Sequence, residues 1–426
     1  MTKISRSLLV VPPLLIALLL LGPHLPPSDA LTPKQGVKSK TFLSPPILLR
    51  PGDVADKFYY DIPFPRGHLA LKSFNGEVVD ERGAPVPLHE TYLHHWVVQP
   101  YYALVVSAEG GSSRPRTIPA RNAGVCSGHT LGQYYGLGSE TRRTATWVPD
   151  PYGIEIGDPA AAPASEGYEQ RWLLNVHAID TRGAADRTMA CTECRCDVYN
   201  VTADWRGHAI EPGYAGGLRC CYDGTRCGAA AAGAGAEAEA ARTVFLRYTV
   251  MWRDWSPAAV LPVRIYIFDV AGCGVEYDVE EQCSGGAGGE CVHVKTATQA
   301  LPRGGDVVFG VAHQHAGGAG ASLHGADGRL LCESAATYGG GREAGDEAGY
   351  IVGMSTCYPR PGAVTVRDGE PLTVVSRYSS DRRHTGVMGL FYILVADHAR
   401  QLPQQEGLCF SFPVPWCLPS WLSSNL

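Results

Sequence analysis

The chain has 426 residues, 14 cysteines and a formal net charge of −6. With a pI near 6.2 it lacks the basic footprint that nucleic acid or an anionic membrane surface would demand, so no nucleic-acid partner is expected. Its length exceeds what one ordinary core of up to about 250 residues organises, so two domains are expected.

Lys3 and Arg6 precede an apolar run from Leu8 to Leu21, followed by prolines and Ser28-Asp29-Ala30. A basic start, a short apolar stretch and a small-x-small site read as a secretory signal peptide over residues 1–30, with the mature chain starting near Leu31. The run is short for a membrane span and is broken by Pro12-Pro13. The tail 399–426, with Cys409, Cys417 and several prolines, offers no unbroken apolar run either, so the mature chain is expected to carry no membrane span. An even number of cysteines, all beyond the leader, suits an oxidising compartment. Asn200-Val-Thr202 is a glycosylation sequon, consistent with the secretory route to the extracellular space.

The apolar runs are short and rich in β-branched and aromatic residues. Val244-Phe-Leu-Arg-Tyr-Thr-Val, Val263-Arg-Ile-Tyr-Ile-Phe-Asp-Val, Leu372-Thr-Val-Val-Ser-Arg-Tyr and Phe391-Tyr-Ile-Leu-Val read as strands, and no long amphipathic helix stands out. The fold class is all-β, with β-sandwiches expected. Composition divides the mature chain into a first sandwich over 31–185, a Cys-rich insertion with an Ala/Gly linker over 186–243, a second sandwich over 244–398, and the tail.

Within the insertion, Cys191, Cys194 and Cys196 precede Cys220, Cys221 and Cys227. Cys-x-x-Cys is zinc-ligand spacing, but no second such pair completes a site. In a secreted chain disulfides are the expected state, with the neighbours Cys220 and Cys221 bonded to different partners. Hydrolase readings fail for want of a Gly-x-Ser-x-Gly elbow or a His-Glu-x-x-His helix.

The histidines carry more chemistry. His313 and His315 close a strand-like run, and residues two apart in a strand face the same side, so two imidazoles can share an ion. His94 and His95 are adjacent and would face opposite sides of a regular strand; sharing one ion requires a bulge or a strand end. His177 and Met388 also sit in or beside apolar runs. Thioether with imidazole suits copper, particularly Cu(I), whereas imidazole alone also suits zinc. The competing explanations are polar residues on the wet face of a strand and an ordinary core methionine. His129, His208, His293 and His384 have no supporting pattern.

Leu93-His94-His95-Trp, Leu174-Asn-Val-His177-Ala, Ala312-His313-Gln-His315 and Val387-Met388-Gly resemble, in order and context, the ligand segments of the type II ascorbate-dependent copper monooxygenases. That family includes the peptidylglycine and dopamine β-monooxygenases. The resemblance implies two jelly-roll domains and two copper ions, with ascorbate as reductant. It assigns His94, His95 and His177 to one copper and His313, His315 and Met388 to the other, and it gives Tyr392 a place in catalysis. At the positions where the peptide-acting enzyme anchors its substrate's carboxylate, this chain has Val311 and Leu390. Lys40-Thr-Phe-Leu-Ser-Pro-Pro, Phe64-Pro-Arg-Gly-His-Leu-Ala, Cys191-Thr-Glu-Cys-Arg-Cys and Gly217-Leu-Arg-Cys-Cys-Tyr-Asp-Gly resemble the plant stress up-regulated nodulin family over nearly the whole mature chain.

Two functions follow. One is a secreted, stress-related copper monooxygenase acting on an unknown small molecule or peptide. The other is a non-catalytic extracellular stress or cell-wall interaction protein that keeps the monooxygenase fold.

Overall fold

The computed structural model describes residues 36–105, 116–126, 135–185, 191–231, 240–283 and 291–397, with a short strand pair at 409–410 and 416–417. The leader, residues 186–190, most of the Ala/Gly tract and most of the tail lie outside the described residues. Residues 38–426 form one compact unit. The described part is all-β, and its only α-helical pieces are the four-residue segments Cys196–Tyr199 and Gly228–Ala231.

The largest sheet runs in the order Lys38–Leu43, Arg242–Asp254, Leu69–Asp80, Tyr152–Ile156, Leu261–Asp269, His384–Ala396, Gly305–Gln314 and Thr365–Val366. At its first end packs a five-stranded sheet built on Val54–Tyr60, Tyr168–Asp180 and Thr91–Leu104, with Phe74 of the large sheet 4.7 Å from Trp96 between ring centres. At its other end packs a sheet ordered Val292–Ala300, Pro371–Ser379, Gly318–His324, Leu330–Tyr338 and Ile351–Met354. There the Ser334 hydroxyl accepts the Ala312 N–H, and the Gln314 side-chain amide donates to Ser376 Oγ.

Arg242–Asp254, which composition places at the start of the second sandwich, hydrogen-bonds along Lys38–Leu43 and Leu69–Asp80 of the first half. The reason is its period-two pattern. Val244, Leu246, Tyr248 and Val250 are fully buried on one face, a pattern that fixes both membership and register. The large sheet crosses to the second half through the short parallel pairing of Leu261 with Tyr152 and of Pro262 with Gly153.

Two further ties hold the halves together. Cys126 is bonded to Cys273, and Arg142 meets the fully buried Glu347 at 3.4 Å. Glu347 also accepts the backbone N–H groups of Leu88 and Gly345, each at 2.9 Å. Glu347→Ala strands the two backbone donors, while Arg142 keeps Glu77 and the Val78 and Val86 carbonyls, so unfolding should become easier by about 1–3 kcal/mol, read by chemical denaturation. A change below about 1 kcal/mol would mean that water satisfies those donors.

The insertion is stapled internally by Cys191–Cys227, Cys194–Cys221 and Cys196–Cys220. Adjacent Cys220 and Cys221 therefore bond different partners. Asn200 is exposed just after the helical turn Cys196–Tyr199.

Candidate metal centre

The strand Thr91–Leu104 pairs with Tyr168–Asp180, and the register slips by one residue between Leu93 and His95. His95 lies directly across from His177, leaving His94 as the extra residue of a β-bulge. The bulge overcomes the alternation that would have sent His94 and His95 to opposite faces. One nitrogen from each of His94, His95 and His177 then lies within 4.8 Å of the others.

The hydrogen bonds around this trio fix the tautomer of His95. Asn175 donates through Nδ2 to Asp56 Oδ1 at 2.6 Å, so its carbonyl oxygen must face His95. That oxygen accepts from His95 Nε2 at 2.7 Å, which leaves His95 Nδ1 as an acceptor with its lone pair toward His94. His95 Nδ1 stands 3.4 Å from His94 Nδ1. Two imidazole nitrogens bound to one tetrahedral ion at ~2.0–2.1 Å would stand roughly 3.3–3.4 Å apart.

The second set comes from the other half of the large sheet. His313 and His315 share a face of the chain at the end of Gly305–Gln314, beside Leu390 of the paired strand His384–Ala396. His313 Nδ1 donates to Glu140 Oε1 at 2.5 Å, leaving Nε2 open. Glu140 is fully buried and its other oxygen accepts the Gly138 N–H at 3.0 Å. The Tyr378 hydroxyl accepts the His315 N–H at 2.8 Å and donates to the Met388 carbonyl at 2.6 Å, tying those two residues together. Gly138 sits where the two sets close. A Cβ there would fall 2.5 Å from the His94 carbonyl oxygen and 3.0 Å from His313 Cε1, so only glycine fits.

The two histidine sets form one continuous cluster. His94 lies 4.5 Å from His177 and 4.4 Å from His315 between ring centres, and His315 lies 5.3 Å from His313. Burial first, then the neighbouring histidines, lowers the pKa of His94 and His315 well below the ordinary value. Burial, then His177, lowers His95 to about 4, and burial also lowers His177. These four rings are therefore neutral at pH 7, with lone pairs available. His177 Nε2 and His315 Nε2 are buried with no hydrogen-bonding partner, a costly state for a polar atom unless something binds there. The donor set fits a transition-metal ion.

His95 and His313 open onto a cavity of about 850 Å³. Met388 and Tyr392 line the same cavity, as do Val311 and Leu390, so the wall beside the histidines is apolar. The insertion also lines it, with the aromatic Trp205, Tyr214 and Tyr222 and the charged Arg206, Arg219 and Asp223. The Cys194–Cys221 sulfurs approach the His94 ring, with all three ligand-type atoms within 4.8 Å.

Two contributors had no sequence signal. Glu140 and Gly138 belong to a short 3₁₀ turn with no periodicity. His384 is fully buried, its Nδ1 2.8 Å from Glu193 Oε1 of the insertion.

Fold and site together define an all-β, disulfide-stapled protein built around a buried histidine cluster. The chain belongs to the stress up-regulated Nod 19 family, whose model matches residues 35–398. No curated protein matches the sequence. Among solved structures, the infectious bursal disease virus VP2 subviral particle is 10% identical over 86% of this chain and 74% of that one, with a TM-score of 0.21. The Sputnik virophage structure is 8% identical over 93% and 91%, with a TM-score of 0.19. Among the described residues no helix is long and apolar enough to cross a membrane.

Proposed function

We propose that this stress-related protein is secreted, binds copper at the histidine cluster, and oxidises a small apolar molecule held in the adjoining cavity, as an ascorbate-dependent monooxygenase. The observation that carries the metal reading is the convergence of one nitrogen from each of His94, His95 and His177 within 4.8 Å, with the His95 Nδ1 lone pair turned inward by Asn175. Copper held there would supply one-electron redox chemistry and dioxygen activation.

The chain's own residues do the rest. Asn175 and Glu140 hold His95 and His313 in the tautomers that present a lone pair to an ion. Met388, 4% exposed on the cavity wall, is the candidate soft ligand for Cu(I). Val311 and Leu390 put no cation beside Met388, which favours a hydrocarbon part of the substrate at that wall, while Arg206, Arg219 and Glu276 line other parts of the same cavity. Tyr392 lines that wall, where it would contact such a substrate. The leader, the exposed sequon at Asn200 and the disulfides support secretion.

The test is copper content after loading with copper and ascorbate and then gel filtration. Wild-type protein should retain two equivalents, and His177→Ala should lose at least one. Wild-type protein that retains none overturns the reading. Retained copper without ascorbate-dependent oxygen uptake would favour the non-catalytic extracellular module instead.

A further inference from the structure

The cavity beside the histidines has a second end, built by the insertion. Two large side chains that line it are open to water, Phe58 at 56% and Trp205 at 55% exposure. Phe58 comes from the strand Val54–Tyr60 and Trp205 from the insertion. Exposed aromatic rings on the wall of a cavity mark a surface that a ligand covers. The loop carrying Trp205 is held in shape. Asp204 accepts the N–H groups of Arg206 and His208, each at 2.9 Å, and Arg219 stands 3.6 Å from the same carboxylate. Glu276 fixes the neighbouring part of the insertion, accepting from the Tyr214 hydroxyl at 3.1 Å and the Leu218 N–H at 2.9 Å.

The charged groups at this end are unequally committed. Asp56 accepts from Asn175 Nδ2 at 2.6 Å, Asp223 pairs with Lys57 at 2.7 Å, and Arg219 pairs with Glu211 as well as Asp204. Arg206 is exposed, with its guanidinium 5.4 Å from the Trp205 ring centre. Among the described residues its side chain makes no hydrogen bond or ion pair. That fork is free to hold a carboxylate through two parallel hydrogen bonds. A dianion such as a phosphate ester would meet the field of Asp56, Asp223 and Glu276 with one free cation to offset it, so a single carboxylate is the better match. Toward the histidines, Met388, Val311 and Leu390 offer hydrocarbon and thioether surface.

We infer that the Trp205–Arg206 loop is the head-group subsite of this cavity, and that its ligand is an amphipathic monocarboxylic acid. The carboxylate lies on Arg206 and the hydrocarbon body is directed toward Met388. This rests on the cavity being the substrate site proposed above, and not on the metal. Substrate selection then lies with the insertion.

The experiment is isothermal titration calorimetry of the metal-free, full-length protein with octanoate, octanol, octylamine and octyl phosphate. Octanoate should bind one per chain, and more tightly than octylamine or octyl phosphate. In Arg206→Gln its affinity should fall about 5- to 10-fold, the worth of a bidentate charge pair partly screened by water, while octanol affinity stays within about twofold. Arg206→Lys keeps the charge without the fork and should fall between. Arg206 is exposed, so both variants leave the core untouched. Octanoate that does not bind, wild-type octanoate affinity in Arg206→Gln, or equal loss of octanoate and octanol affinity would each overturn the inference. Octylamine as the tightest ligand would overturn it in favour of a cationic head group held by Asp56 and Asp223. Copper retention is read separately. Failure here therefore leaves the copper reading standing, and octanoate binding by protein that retains no copper sinks that reading alone.

Discussion

Glu140→Ala should weaken copper binding roughly 10- to 100-fold, the usual cost of removing the partner that orients a histidine ligand. The carboxylate is fully buried and does two jobs, accepting from His313 Nδ1 and from the Gly138 N–H. Without it, His313 can turn or change tautomer, so Nε2 no longer points reliably to one place. Glu140→Gln keeps an acceptor of nearly the same shape and should fall between wild type and Glu140→Ala. Affinity would be measured by competition with a copper chelator, with thermal unfolding of the metal-free protein alongside. Removal of a buried partner also destabilises, by about 1–3 kcal/mol. The discriminating result is therefore affinity lost in protein that remains folded at the assay temperature. Wild-type affinity in Glu140→Ala would reduce Glu140 to a structural pin and remove His313 from the ligand set.

The fold class was legible because strands announce themselves through composition and period two. Val307 to Ala312 reads as an unbroken apolar run, and it is buried on both faces, one against the sheet carrying Ser334 and Ser376, the other toward the cavity. Membership was less legible. Residue 244 follows an Ala/Gly tract, so composition puts a boundary there, yet Val244 pairs across to Asp80 because pairing obeys register rather than proximity in sequence.

At the site, His313 and His315 were legible because a fixed period of two suffices to place them on one face. For His94 and His95 the sequence could state the condition, a bulge, but not meet it, since a bulge is a property of two strands. Glu140 was invisible for a related reason. A single acidic residue in a turn carries no pattern, and its importance arises only when a strand from the other half of the chain brings His313 to it. Cysteine pairing was open as well, because six cysteines allow about 15 connectivities.

Removing the Cys194–Cys221 bond should cost more copper than removing its neighbour, even though both changes cost similar stability. The two bonds close loops with sequence separations of 27 and 24 residues. On the chain-entropy account each contributes about 3–4 kcal/mol, so the double variants Cys194→Ala/Cys221→Ala and Cys196→Ala/Cys220→Ala should lose comparable amounts in denaturant unfolding. Their positions differ. Cys194 and Cys221 are fully buried with their sulfurs against His94, whereas Cys196 is partly exposed and its bond is not among the groups that approach the histidines. Taking away the first bond therefore opens space behind His94 and frees the bulged ring to move, while the second loosens only the outer part of the insertion. Copper retention under conditions where both variants remain folded isolates that contact from general destabilisation. The Cys194/Cys221 variant should lose at least one equivalent and the Cys196/Cys220 variant none. Equal retention by both would show that the disulfide wall contributes only stability, and that the strands, the Asn175 contact and the Glu140 contact hold the histidines on their own.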